Sequence, residues 1–207
     1  MKSGDAGLRA LMNAIAGGDA DGAARQLAAA PSLAAARLQV GATRAAPKAN
    51  WLAAITHYVY AGDTGLHVAA AAHRPEIVRL LIAAGATVDV RNRRGAEALH
   101  YAADGGPGAP GWNPQAQAAT IAALIAAGAD PNAADMGGVT PLHRAVRNRC
   151  AAAVRALLDG GAHAGAKTAR GTTPAQLATR TTGRGGSGTP EAKAQAEEIA
   201  RLLAAHK

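Results

Sequence analysis

The sequence has 207 residues and a formal net charge of +8; 49% of its residues are hydrophobic, but only 2% are aromatic and none is phenylalanine. A core built mainly from small and aliphatic residues favours helices, because Ala has the highest helix propensity and the aromatic residues that fill sheets are scarce. Cys150 is the only cysteine, which excludes an internal disulfide, and no apolar run approaches the ~20 residues that a membrane span needs.

The first part of the chain predicts two short helices, over residues 8–16 and 20–30, separated by a Gly-Gly-Asp turn. Residues 31–61 show no clear period. Within them, residues 31–39 could add a helix, residues 41–50 read as a loop, and residues 51–60 could close over the first units. Polar and apolar residues alternate from His57 to Tyr60, which indicates either a short strand or a packing arm.

From residue 62 onward, one short string recurs at regular spacing. The clearest copy is Thr140-Pro141-Leu142-His143, and related strings stand at 64–67, 97–100 and 173–176. Their fourth residues are separated by 33, 43 and 33 positions, and the pair Gly-Ala, which begins at 85, 128 and 161, is separated by 43 and 33. Both markers indicate a 33-residue period with ten extra residues between His100 and Leu124.

Each repeat predicts the same pair of helices. A turn that ends in Gly precedes a short helix opened by Thr or Thr-Pro, and a second helix with apolar residues at helical spacing ends at another Gly. This pattern resembles the ankyrin repeat, whose signature is G-x-T-P-L-H-x-A-A, a helix ending in L-L, and then G-A. The departures from the signature are Gly65 and Ala98 for Pro, Glu97 for Thr, and Ala175-Gln176 for Leu-His.

The resemblance implies an all-α ankyrin-repeat solenoid of about five units in a single domain, with the first and last units acting as caps. Units of this kind stack because one helix pair cannot bury its apolar face alone. We expect a degenerate N-terminal cap at 5–40, an insertion or linker at 41–61, and units at 62–94, 95–137 with insertion 104–114, 138–170, and 171–207 with insertion 180–190.

The resemblance also implies a non-catalytic scaffold that binds a partner protein through its concave face and hairpin tips. The exposed variable positions of the family fall here on a set that includes Asp63 and Ala96, and Arg dominates the later units. Because Arg suits two-pronged contact with a carboxylate, we expect an acidic partner segment; a merely solvated row of Arg side chains is the alternative. The expected contact residues are Arg93, Arg94, Asp104, Arg147, Asn148, Arg170 and Arg180.

The repeated histidines His67, His100 and His143 allow two interpretations. Their spacing places one in each unit, too far apart for a single metal ion, whose ligands lie at about 2.0–2.1 Å. In ankyrin-like units this histidine usually braces the turn by hydrogen-bonding to the backbone. We therefore expect a structural role for them, and no metal or cofactor.

An alternative function is a small-ligand or enzymatic pocket between the two insertions, 104–114 and 180–190, which fall between the first and second helices of their units. Its lining would comprise Asp104 and Arg147 together with Trp112, Arg149, Cys150 and Arg184, and flexible Gly/Pro-rich loops are the competing interpretation. Nearby arginines could lower the pKa of the Cys150 thiol, although no general base accompanies it.

Nucleic-acid binding ranks third, because the aromatic residues cluster near 51–60 and away from Arg147 and Arg180. The net charge is equally compatible with a general solubility charge. We expect a monomer without a membrane segment, in the cytoplasm, and export as an effector is the alternative location.

Overall fold

The computed structural model describes residues 3–43, 48–179 and 189–206, and this part of the chain contains ten α-helices in five successive pairs. The first helices of the pairs are α1 (Ser3–Gly17), α3 (Gly65–Ala71), α5 (Ala98–Ala102), α7 (Pro141–Arg147) and α9 (Pro174–Ala178). The second helices are α2 (Ala20–Ala29), α4 (Pro75–Ala83), α6 (Pro114–Ala126), α8 (Ala151–Asp159) and α10 (Pro190–Ala205).

The pairs stack in two layers, first helices against first helices and second helices against second helices. Helix α3 packs between α1 and α5, and α7 contacts α9, while α6 packs between α4 and α8. Small residues such as Ala69, Ala70 and Ala102 are fully buried in the first layer, and large aliphatic residues such as Leu81 and Leu124 are fully buried beneath the second. The all-α solenoid of about five units is confirmed.

The turns between units form a backbone ladder. The N–H of Arg93 donates to the carbonyl of Ala61 (2.8 Å), that of Met136 to Arg94 (3.1 Å) and that of Ala169 to Gly137 (2.9 Å). At Gly138, which has a φ of +70°, a Cβ would stand 2.5 Å from the backbone nitrogen of Ala169. Glycine at this point of the repeat therefore serves both the left-handed turn and the close approach of the next hairpin.

Residues 31–43 and 48–61, here called the 31–61 segment, are irregular and fold back onto the stack. Three 3₁₀ turns, at Pro31–Ala34, Lys48–Asn50 and Ala53–Ile55, accompany a small antiparallel hairpin of β1 (Trp51–Leu52) and β2 (His57–Tyr58). The helix considered for residues 31–39 is reduced to the first of these turns. The alternation in His57–Tyr60 does correspond to a strand, and its partner strand places Trp51 opposite Tyr58.

This segment is attached to the repeats at several points. The N–H of Leu38 donates to the carbonyl of Asp63 (2.8 Å), and the N–H of Gly62 donates to the carbonyl of Leu38 (2.7 Å). Arg9 on α1 donates to the carbonyl of Val40 (2.6 Å) and to Oδ1 of Asn50 (2.8 Å). These hydrogen bonds thus attach the 31–61 segment to the first-helix side of the stack.

Candidate functional site

The repeated histidines bridge neighbouring units. Nδ1 of His67, His100 and His143 accepts the backbone N–H three residues earlier, at 3.2 Å in each case. Because Nδ1 accepts, the ring proton lies on Nε2, which donates to a carbonyl of the following unit: Ala96 (3.2 Å), Val139 (3.0 Å) and Thr172 (3.0 Å). The structural role expected for these residues is confirmed.

Asp63 is fully buried, so its expected exposure at a variable position was wrong. Its carboxylate accepts from Nδ2 of Asn92 (2.8 Å), from the hydroxyl of Tyr101 (3.0 Å) and from the N–H of Tyr60 (2.6 Å). Burial, and then the adjacent carboxylate, raise the pKa of Tyr101, which stays a neutral donor. This network joins the 31–61 segment to the second and third units.

Ala96, also expected at the surface, is 1% exposed. Its N–H donates to Oδ1 of Asn92 (3.1 Å), and its carbonyl accepts from His67. The residue is buried because the turn closes around both of its backbone groups.

A second polar cluster surrounds Arg144, a residue that sequence reasoning did not select. Its Nη1 donates to Oδ2 of Asp104 (2.8 Å) and its Nη2 to Oδ2 of Asp135 (3.2 Å). Nδ2 of Asn148 donates to the other oxygen of Asp104 (3.2 Å). Burial acts to raise the pKa of Asp104, but the charge of Arg144 and the neighbouring His57 outweigh it and hold that pKa at about 2. Asp104 is therefore an ionised partner within the fold.

Two adjacent depressions lie on the face formed by the first helices and the inter-unit turns, here called the concave face. The inner cavity, of about 420 Å³, is lined among others by His57, Tyr60, Tyr101, Asp104 and Asn148. The tip cavity, of about 380 Å³, is lined among others by Arg93, Asp135, Met136, Gly137 and Val139. Three arginines, Arg94, Arg144 and Arg147, line both cavities and so stand between them.

The 31–61 segment supplies one wall of the inner cavity. The guanidinium carbons of Arg93 and Arg94 lie 5.3 and 5.1 Å from the ring centroid of Tyr60, and Arg93 also donates to the carbonyl of Ala42. The His57 ring lies 4.8 Å from that of Tyr101. The expected separation of aromatic residues from the arginines was therefore wrong for Tyr60 and Arg147, which line the same cavity.

The expected contact residues are only partly brought together. Arg93, Arg94, Asp104, Arg147 and Asn148 all line one or both cavities. Arg170 is exposed at the next turn and lines neither of them. Arg180 lies outside the residues that the structure describes, so its alignment with Arg147 stays a prediction.

The alternative pocket does not have the expected lining. Cys150 is fully buried, and its Sγ accepts the N–H of Ala153 (3.4 Å) at the start of α8. Burial raises the pKa of the Cys150 thiol, so the expected lowering by Arg147 and Arg149 was wrong. Arg149 is itself only 8% exposed. Arg184 and most of the second insertion lie outside the described residues.

Trp112 borders a cavity of about 380 Å³ that lies between the first insertion and the 51–58 hairpin, with Ile55, His57 and Asp104 among its other lining residues. The indole Nε1 donates to Oε1 of Gln117 (3.0 Å), and Nε2 of Gln117 donates to the carbonyls of Ala102 and Asp104 (both 3.0 Å). The first insertion is thereby fixed to the start of α6.

Residues 3–43, 48–179 and 189–206 contain no group of three or more His, Cys, Asp or Glu side chains that could hold a metal ion. Within the same ranges, no helix has the length and apolar character that crossing a bilayer requires.

Comparison with known proteins gives a consistent result. The family model described as "Ankyrin repeats (3 copies)" matches residues 11–109, and the one described as "Ankyrin repeats (many copies)" matches residues 124–178. The mouse protein "Ankyrin repeat and SOCS box protein 16" is 45% identical over 87 residues, which are 42% of this chain and 19% of the mouse protein. The similarity thus covers about a fifth of that relative.

Proposed function

Because this chain belongs to the ankyrin-repeat family, whose repeats generally mediate protein–protein interaction, we propose that it is a non-catalytic module that binds an acidic segment of a partner protein. The binding surface is the concave face together with the hairpin tips around Met136. The mouse relative contributes no partner to this proposal, since the two proteins share only a fifth of its length.

The observation that carries the proposal is the charge around the two cavities. Four arginines line them, and only two aspartates do. Asp104 and Asp135 both pair with Arg144, and the four arginines together outnumber these two carboxylates. A carboxylate between Arg94 and Arg147 would gain charge-assisted hydrogen bonds, each of which contributes about 1.5–3 kcal/mol.

The hairpin tips add apolar contact. Met136 is 80% exposed beside the arginines, and a flexible thioether side chain adapts to different partner surfaces. Arg170 stands at the neighbouring turn, where a longer acidic segment would reach it.

The test compares the binding of peptides with graded Asp and Glu content to the wild type and to Arg94→Glu/Arg147→Glu. Reversing two charges should weaken binding of acidic peptides by at least about tenfold and reduce its salt dependence. Arg79→Glu is the control, because Arg79 is exposed on α4 and lines neither cavity. Equal affinity and equal salt dependence in the double variant would contradict the proposal.

A further inference from the structure

We propose that the inner cavity receives the C-terminal carboxylate of the partner segment, with an apolar residue upstream of it in the tip cavity. This inference rests on the proposed function, because it takes the concave face as the binding surface. It adds the polarity of the bound chain and the chemical nature of its end.

The first argument is that the chain itself blocks the first-helix face on the N-terminal side of the inner cavity. Residues of the 51–58 hairpin and Ala71 and Ala72, at the end of α3, line the same cavity. Nε2 of His57 lies 4.0 Å from Oδ2 of Asp104, so the hairpin reaches the third unit. A ligand that lies along the face therefore meets His57 and Tyr60 as a wall.

The second argument is where the arginines stand relative to this wall. Arg94 and Arg147 line the inner cavity together with His57 and Tyr60, Arg94 lies against the Tyr60 ring, and Asn148 adds an amide. Asp104 is already engaged by Arg144 and Asn148, so it is compensated within the fold and repels an incoming anion only weakly. The end of the groove thus offers three arginines and an amide to a negative charge.

The third argument concerns the shape of a ligand that ends at a wall. An internal Asp or Glu needs space for the chain on both sides, whereas a terminal carboxylate needs it on one side only. The tip cavity, which shares Arg94, Arg144 and Arg147 with the inner cavity, supplies that one side. Its Met136 and Val139 offer an apolar contact to a side chain upstream of the terminus.

The experiment uses two displayed libraries of the same random peptides, one with a free C-terminus and one in which the chain continues into a Gly-Ser linker. We expect enrichment only from the free C-terminus library, with apolar residues preferred upstream of the end. For a selected peptide, a C-terminal amide should bind at least about tenfold more weakly than the acid, since one charge-assisted contact is lost.

Two variants test the roles of the two cavities separately. Arg147→Glu should remove the difference between acid and amide, whereas Met136→Asp should abolish the apolar preference and keep that difference. Met136 is exposed, so its replacement leaves the fold intact. Arg79→Glu is again the matched control for a change of charge.

The outcomes also separate this inference from the proposed function. If amides and linker-extended peptides bind as well as free acids but still lose affinity in Arg94→Glu/Arg147→Glu, the acidic-segment function holds and the terminal carboxylate is overturned. If the selected peptides bind the double variant as they bind the wild type, both fail. A lack of enrichment from either library also contradicts both.

Discussion

At the scale of single residues, the repeated histidine couples the start of one unit to the turn of the next. The ring closes a capping box at Nδ1 and donates from Nε2 to a carbonyl 29 to 39 positions further along the chain. In the last unit Gln176 replaces the histidine, and its Oε1 accepts the N–H of Thr173 (2.9 Å) in the same box. Glutamine at this position therefore keeps the capping box.

His100→Ala removes the capping bond and leaves the carbonyl of Val139 without its donor. We expect a loss of about 2–3 kcal/mol in the free energy of unfolding, measured by urea denaturation. His100→Gln should recover part of it, because glutamine makes this cap in the last unit. His163→Ala is the control at an exposed histidine; if it costs as much as His100→Ala, the bridging role is wrong.

The same histidines predict acid sensitivity. Burial, followed by the charge of Arg144, lowers the pKa of His100 from 6.5 to about 4, and burial also lowers those of His67 and His143. A folded-state pKa below the unfolded value stabilises the protein above pH 6.5, and that stability is lost as the pH falls from 6.5 towards 4. For His100 alone the loss approaches about 3 kcal/mol.

Thermal unfolding between pH 7 and pH 4.5 measures this effect. The melting temperature should fall across the window, and His100→Gln should flatten the fall. Asp104, with its pKa of about 2, stabilises the fold above its unfolded value of 3.8 and loses this contribution only at lower pH, outside the window. A melting temperature that stays constant from pH 7 to pH 4.5 contradicts the assignment of neutral buried histidines.

The residues that sequence reasoning placed correctly are those whose role is local to the repeat. The histidine cap depends on residues three positions apart, so its pattern is visible in the sequence. The burial of Asp63 and Cys150 depends on contacts with the irregular segment and with the first insertion, and neither has a period. Arg144 was missed because its partners Asp104 and Asp135 lie in other turns.

At the scale of elements, the helix pairs could be predicted from the spacing of their apolar residues and from the Thr and Gly residues at their ends. The hairpin of residues 51–58 was predictable as a strand but not in its position. It binds the stack through long-range contacts such as those between His57 and Tyr101. Because this segment has no equivalent in the other units, its sequence does not indicate where it packs. In the structure it forms one wall of the inner cavity.

The first insertion is an ordered element whose position depends on Gln117. This buried side chain accepts from Trp112 and donates to the carbonyls of Ala102 and Asp104. Gln117→Ala should destabilise the protein by about 2–3 kcal/mol, because the indole of Trp112 and the carbonyl of Ala102 lose Gln117, and the carbonyl of Asp104 keeps only the bond from His73. Limited proteolysis should then cut within residues 105–113 faster than in the wild type.

Gln115→Ala provides the control, because Gln115 is exposed on the same turn of α6. Equal proteolysis of the wild type and both variants would show that the insertion is held by other contacts.

At the scale of the whole molecule, the net charge of +8 is distributed unevenly. Several arginines that line neither cavity form ion pairs: Arg155 and Arg201 with Glu198, and Arg91 with Glu97. Around the two cavities, by contrast, arginines outnumber aspartates. A face with excess positive charge attracts acidic partners and increases their association rate at low salt.

The same charge should give only weak, non-specific attraction to nucleic acid. The ring of Tyr60 is covered by Arg93 and Arg94, so it is not available for base stacking. Binding of a random-sequence duplex DNA, followed by fluorescence anisotropy, should disappear between about 50 and 200 mM salt. Binding that persists at 200 mM and depends on base sequence would favour a nucleic-acid function instead.

The most direct test of the acidic-partner face is an amide chemical-shift titration with a short Glu-rich peptide at physiological salt. We expect the perturbed residues to cluster at Arg94, Met136, Arg147 and Asn148, with little change in the outer helices α4 and α8. Perturbations confined to the second helices, or none at peptide concentrations up to the millimolar range, would contradict the assignment of the concave face as the binding surface.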